Sequence, residues 1–228
     1  MDIRLYYEEQ GSGKPLLLLH GNGEDGSYFR HQTAYFAKSR RVIALDTRGH
    51  GKSPRGSAPF TIRQFAEDLR AFMDQHALES ADILGFSDGG NIALTLAVND
   101  PGRVDRLILN GANLNPGGVK PSVQIPIVLG YRFASFFAGK SPEAAKHAQL
   151  LGLMVKEPDL RPEDLKKVRA RTLVIAGTRD MIKESHTRLI CESIPDSKLA
   201  LIPGDHFVAA KNPEAFNRAV ADFLEDSE

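Results

Sequence analysis

Residues 81–90 read ADILGFSDGG. An apolar run from Ala81 to Phe86 enters Gly85-Phe86-Ser87-Asp88-Gly89, and NIALTLAVN leaves it with a helical pattern. A serine flanked at both second neighbours by glycine, between a strand and a helix, predicts a sharp elbow. A nucleophile at such a turn occupies strained backbone, and only small neighbours let strand and helix approach each other. The turn lifts the Ser87 hydroxyl above the sheet edge. It also aims the next amide, that of Asp88, and the positive end of the helix at the same point.

A serine hydroxyl is a poor nucleophile until a base takes its proton, and the base is normally a histidine oriented by a carboxylate. After this kind of elbow the expected chain order is serine, acid, histidine. RTLVIAGTRDMI ends an apolar strand and turns at Gly177 into Asp180. SKLALIPGDHF ends the last strand and turns at Pro203-Gly204 into His206. Both residues fall just past strand C-termini, the edge where parallel α/β sheets bind ligands. Asp205 adjoins His206, so the two side chains diverge and it makes a poor orienter. Asp46 and His50, in DTRGHGKS, fit a hydrogen-bonded structural turn. His31, His76, His147 and His186 show no metal-ligand spacing, and no metal or cofactor is expected.

Upstream, LLLLHGNGEDGSYF (residues 16–29) presents a competing reading. Gly21-x-Gly23-x-x-Gly26 follows a strand, precedes a helix and has Asp46 ending the next strand, the pattern of a dinucleotide site. His20 is bulky where a phosphate needs close backbone approach, and a dinucleotide-dependent oxidoreductase leaves GFSDGG, Asp180 and His206 unexplained.

Short apolar runs alternate with helical patterns throughout. Strands are predicted at 3–9, 16–20, 41–46, 81–86, 104–110, 171–176 and 198–202, and helices at 27–38, 61–76, 88–99, 183–194 and 213–224. Runs such as LLLL, VIAL and LVIAG are nearly all apolar, as in strands buried on both faces. The expected fold is α/β, a mainly parallel twisted sheet with helices on both faces. The core is expected over 1–111 and 168–228. Residues 112–167 lack a clear strand and read as a helical lid insertion, with a helix start at Ser141-Pro142-Glu143 and another at Arg161-Pro162-Glu163-Asp164. Ile125–Phe137 and Met154 are candidates for an apolar acyl pocket.

The combination LLLLHGNG, DTRGHGKS, GFSDGG, GTRD and GDHF, in that order over nearly the whole chain, resembles the α/β-hydrolase superfamily. It is most similar to the small, lidded, single-domain serine esterases and their lyase, lactonase and aminopeptidase-like relatives. The resemblance implies Ser87 as nucleophile, Asp180 as orienting acid and His206 as base. It also implies that Asn22, through its backbone N–H, is the second oxyanion donor beside Asp88. The serine argues against the superfamily's aspartate-nucleophile dehalogenases and epoxide hydrolases. Compared with that pattern the chain is short, the insertion is small, and an outer edge strand is not evident. The expected substrate is a small carboxylic ester or related acyl compound. Lactone, thioester and C–C bond cleavage, and a slow receptor-like protein, are the alternatives.

The bulk properties agree with such an enzyme. The chain has 228 residues, 42% apolar and 25% charged, with no net formal charge. Scattered basic residues predict neither a nucleic-acid groove nor a membrane-binding surface. The one cysteine, Cys191, excludes an intrachain disulfide. The charged start MDIRLYYEEQ lacks the apolar stretch of a secretory signal, which predicts a cytoplasmic protein.

Overall fold

The structure, a computed structural model, describes residues 2–226. Seven strands form one sheet: β1 Tyr7–Gln10, β2 Pro15–Leu19, β3 Arg41–Leu45, β4 Ala81–Phe86, β5 Val104–Asn110, β6 Arg171–Gly177 and β7 Ser197–Ile202. Their order is β1-β3-β2-β4-β5-β6-β7. Only the β1–β3 pair is antiparallel. The sheet matches the α/β class read from the sequence.

Alternate side chains of the central strands enter two separate cores. Leu17, Leu19, Ile43, Leu45, Ile83, Leu107 and Leu109 pack under α2 (Ile62–Gln75), α3 (Asp88–Asn99) and α6 (Glu184–Ser193). Leu16, Leu18, Val42, Leu84, Phe86, Ile108 and Ile175 pack under α1 (Arg30–Phe36), α7 (Val208–Lys211) and α8 (Pro213–Glu225). This is why LLLL is unbroken: Leu16 to Leu19 point to both faces, and each is no more than 1% exposed. Each such leucine contributes about 2 kcal/mol by leaving water.

Local signals start the helices. Thr61 caps α2, its hydroxyl accepting from the Gln64 N–H at 3.1 Å. The first strand and the first helix start later than the sequence predicts. The first strand begins at Tyr7 rather than Ile3: opposite Asp46 the Tyr6 carbonyl still accepts the Asp46 N–H, but the Tyr6 N–H is diverted to Ser53 Oγ and the ladder ends. The helix predicted from Ser27 starts as a tight 3-10 turn over Gly26–Phe29, since the Asp25 carboxylate holds the Ser27 N–H, and becomes α-helical only at Arg30.

Between β5 and β6 lie α4 (Pro121–Phe137) and α5 (Pro142–Lys156). Ser141 caps α5 as expected, through the Ala144 N–H. Arg161-Pro162 opens only a short 3-10 stretch, Pro162–Lys167. The two helices form a hairpin whose contact face uses Gly130 of α4 against Leu151 of α5. The opposite face of α4 turns to solvent: Ile125, Leu129, Phe133 and Phe136 are 59–74% exposed. An apolar pocket built from these four side chains is therefore not what this structure shows. No helix among the described residues is long and apolar enough to cross a membrane.

Candidate active site

β4 runs into Ser87, whose φ of +53° and ψ of −119° lie where a non-glycine residue costs about 1–3 kcal/mol. Glycines make the strain tolerable. A Cβ on Gly85 would sit 2.3 Å from the Gly89 carbonyl oxygen, and one on Gly89 would sit 2.0 Å from that of Leu19. The elbow is pinned by the Ser87 N–H donating to the Asn110 carbonyl at 2.8 Å and by the Asn91 N–H donating to the Ser87 carbonyl at 3.0 Å.

The structure brings Ser87, Asp180 and His206 into one hydrogen-bonded chain. His206 Nδ1 lies 2.7 Å from Asp180 Oδ1, and Nε2 lies 3.1 Å from Ser87 Oγ. The carboxylate can only accept, so Nδ1 carries the proton and donates to it, which leaves the Nε2 lone pair facing the serine hydroxyl. Asp180 is held by its own N–H to the Gly177 carbonyl and by the Ile182 N–H to Oδ1. Lys120, at the foot of α4, donates to the Asp180 carbonyl at 2.6 Å. Gly111 and Gly177 clear space: a Cβ at the first would meet the His206 ring at 2.7 Å, and one at the second would meet the Asp205 carbonyl oxygen at 2.1 Å. Phe86 leans on the His206 ring at 4.8 Å and stacks on Tyr28 at 4.4 Å, which walls one side of the imidazole. His206 and Asp180 are each 4% exposed.

The glycine run after β2 forms a tight turn. Gly23 has φ +77°, and the Glu24 N–H reaches back to the Gly21 carbonyl. Among the described residues, the backbone N–H groups of Asn22 and Asp88 donate to no protein acceptor. The Asn22 side chain donates to Asp88 Oδ2 and to the Leu150 carbonyl of α5, both at 2.9 Å. Burial raises Asp88 to about 6, against the pull of the Asn22 hydrogen bond.

Asp46, the acid of the dinucleotide reading, and His20, His50 and His186, outside the relay, serve the scaffold. Asp46 accepts the Gly26 N–H on one oxygen and the Lys52 N–H on the other, which commits its carboxylate to bracing the two loops. His20 donates from Nδ1 to the Gly21 carbonyl and accepts the Thr47 N–H at Nε2, and burial holds its pKa down, in the neutral form this needs. His50 is buried and stacked near Phe60. Asp205 turns to the Phe207 N–H and to Lys211, away from His206. His186 accepts the Leu114 N–H. No group of three or more acidic, histidine or cysteine side chains that could hold a metal ion occurs among the described residues.

Several residues at the site carry no sequence signal. Lys120, Asn91 and Asn113 reach it only through the fold. Glu24 is another: its carboxylate accepts the Gly21 N–H at 3.1 Å, and burial raises it from 4.5 to about 7. The folded state thus holds this proton more tightly than the unfolded chain. The associated stability is fully present below about pH 4.5 and is lost as pH rises through 7. Glu24→Gln is expected to melt higher than the parent at pH 8 with no gain at pH 4. Thermal melts showing no gain at pH 8, or equal gains at both, would contradict this.

A strained serine elbow, an imidazole bridging it to a buried acid, and two amides with no protein acceptor among the described residues lie at the C-terminal edge of a parallel sheet. The chain belongs to the α/β-hydrolase fold family, whose model matches residues 14–155. Similar proteins of full length include RutD of Caulobacter sp. (strain K31), which carries a carbamate hydrolase name and is 29% identical over 96% of this chain and 95% of its own. The 3-oxoadipate enol-lactonase 2 of Acinetobacter baylyi (strain ATCC 33305 / BD413 / ADP1) is 28% identical over 96% of this chain and 92% of its own. Among solved structures, a hydrolase from Pseudomonas aeruginosa PA01 superposes with a TM-score of 0.79 at 26% identity, covering 98% of this chain and 95% of that one.

Proposed function

We propose that this protein is a serine hydrolase that cleaves a small carboxylic ester or lactone through an acyl-enzyme on Ser87. The observation that carries the reading is the unbroken relay from Ser87 Oγ through His206 to Asp180, at 3.1 and 2.7 Å. In the first step the Ser87 oxygen attacks the acyl carbon while its proton passes to His206 Nε2. Asp180, accepting from Nδ1, stabilises the imidazolium that forms. The carbonyl oxygen gains the electron pair and is held by the backbone N–H groups of Asn22 and Asp88; one such donor is worth about 3 kcal/mol of barrier. His206 returns its proton to the departing alkoxide. Water, activated by the same nitrogen, then releases the acid and restores the serine.

Residues 112–167 act as a lid in this reading. Its support is contact with the machinery at two points, Lys120 on the Asp180 carbonyl and the Leu150 carbonyl on Asn22. The names of the relatives, a carbamate hydrolase and an enol-lactonase, share attack on an acyl carbon, which favours that step over any one leaving group. No cofactor enters the scheme, and the partner is a small acyl substrate.

The test is pre-steady-state release of nitrophenol from p-nitrophenyl acetate, followed by a panel of lactones and carbamates. An initial burst close to one equivalent per protein marks the acyl-enzyme. Turnover without any burst or trapped acyl adduct, across the panel, would refute the covalent route.

A further inference from the structure

The two amides assigned to the oxyanion come from residues 66 positions apart, on a turn and on an elbow. The β2–β4 ladder ends at Leu19 and Gly85, three residues before each of them. Beyond it the side chains make the link: Asn22 Nδ2 donates to Asp88 Oδ2 at 2.9 Å. We infer that the Asn22 and Asp88 side chains are positioning residues, a cross-brace that sets the separation of the two oxyanion amides and ties it to the inserted helices. The inference rests on the serine hydrolase reading above.

Three observations support it. First, the other bonds of the turn hold Gly21 rather than Asn22: the Glu24 carboxylate on the Gly21 N–H, and His20 Nδ1 and the Glu24 N–H on the Gly21 carbonyl. Asn22 sits between two glycines and is held through its side chain. Second, both Nδ2 hydrogens of Asn22 are used, one on Asp88 and one on the Leu150 carbonyl in α5, so the asparagine is held from two directions. Third, the buried network continues from the elbow to the start of the insertion. Asn91, one turn along α3 from Asp88 and 1% exposed, donates from Nδ2 to Asn113 Oδ1 at 3.1 Å and accepts the Asn113 N–H at 2.9 Å. Asn113 in turn donates to the Asn115 carbonyl. Two points of the 112–167 segment, Asn113 near its start and Leu150 within α5, are therefore anchored around the same elbow.

The chemistry of the pair suits the task. The Asn22 amide nitrogen only donates and an ionised Asp88 carboxylate only accepts, so with Asp88 ionised the bond has one direction. A displacement of α5 withdraws the Leu150 carbonyl and frees one end of the brace. The oxyanion site would then be complete only with the insertion seated, which couples turnover to lid position.

The test compares side-chain variants that all keep the backbone N–H groups, assayed by p-nitrophenyl acetate turnover and by the rate of Ser87 labelling with a fluorophosphonate. Asn22→Ala is expected to lower kcat about 10- to 100-fold with KM changed less than twofold. Asp88→Ala is expected to show a similar loss, and Asp88→Asn, whose amide oxygen still accepts from Asn22, to regain at least tenfold over it. The double variant Asn22→Ala/Asp88→Ala should be little worse than either single change, because the two residues act as one unit. Labelling rates per folded molecule report the same order even where a variant folds poorly. An Asn22→Ala enzyme with kcat within twofold of the parent, multiplicative losses in the double variant, or no rescue by Asp88→Asn would overturn the brace. Failure of the parent protein itself to label at Ser87 would instead overturn the hydrolase reading.

Discussion

Ser87→Ala is expected to leave a folded protein that no longer turns over an aryl ester, with kcat reduced by about 10⁴–10⁶. The size follows from the covalent route. Without the oxygen there is no acyl-enzyme, and the remaining amides and bound imidazole supply only the residual acceleration of an oxyanion site. Stability should hardly change. Among the described residues the Ser87 side chain bonds to His206 alone, whereas the elbow is held by the backbone bonds to Asn110 and Asn91, which alanine keeps. Circular dichroism and a melting point within about 2 °C of the parent separate lost chemistry from lost fold. Retained turnover in a folded variant would remove Ser87 from its assigned role.

Gly89→Ala carries the second large effect, and here fold and chemistry fail together. The added Cβ would lie 2.0 Å from the Leu19 oxygen, 2.5 Å from its carbon and 2.6 Å from the His20 oxygen. All three are backbone atoms at the end of β2, in a strand hydrogen-bonded on both sides, so no flexible side chain can yield. Relief requires α3 to lift from the sheet or β2 to shift, and β2 leads directly into the turn that carries Asn22. A destabilisation of about 3 kcal/mol or more is expected, roughly a 10 °C fall in melting point for a chain of this size, with turnover lost. Gly102→Ala is the control. Nothing lies within 4 Å of its Cβ, so a change within about 0.5 kcal/mol is expected. A Gly89→Ala protein as stable as the control would contradict the packing described for the elbow.

These two positions also mark what a linear sequence reveals. Gly85, Ser87 and Gly89 are legible because strand, elbow and helix are contiguous, and local spacing encodes their geometry. The sheet was legible for a similar reason: runs such as VIAL and LVIAG have only one comfortable environment, between two helix layers. Element starts were less legible where a long-range contact decides them. Ile3 has the composition of a strand residue, yet Ser53 takes the Tyr6 N–H and the ladder begins only at Tyr7. The apolar length of α4 predicted a pocket, but periodicity cannot tell which way a helix faces once a second helix, α5, claims its other side. Asn91, Asn113 and Lys120 are ordinary polar residues in sequence. Their contacts with Asp88, each other and Asp180 exist only after distant segments meet, so no spacing announces them.

The central claim is covalent attack by one serine, and a fluorophosphonate probe examines it most directly. Intact-mass analysis of the parent protein should show a single adduct, and peptide mapping should place it on Ser87, with no adduct after His206→Ala under the same exposure. A parent protein that stays unmodified while hydrolysing an ester, or an adduct on any other residue, would contradict the account.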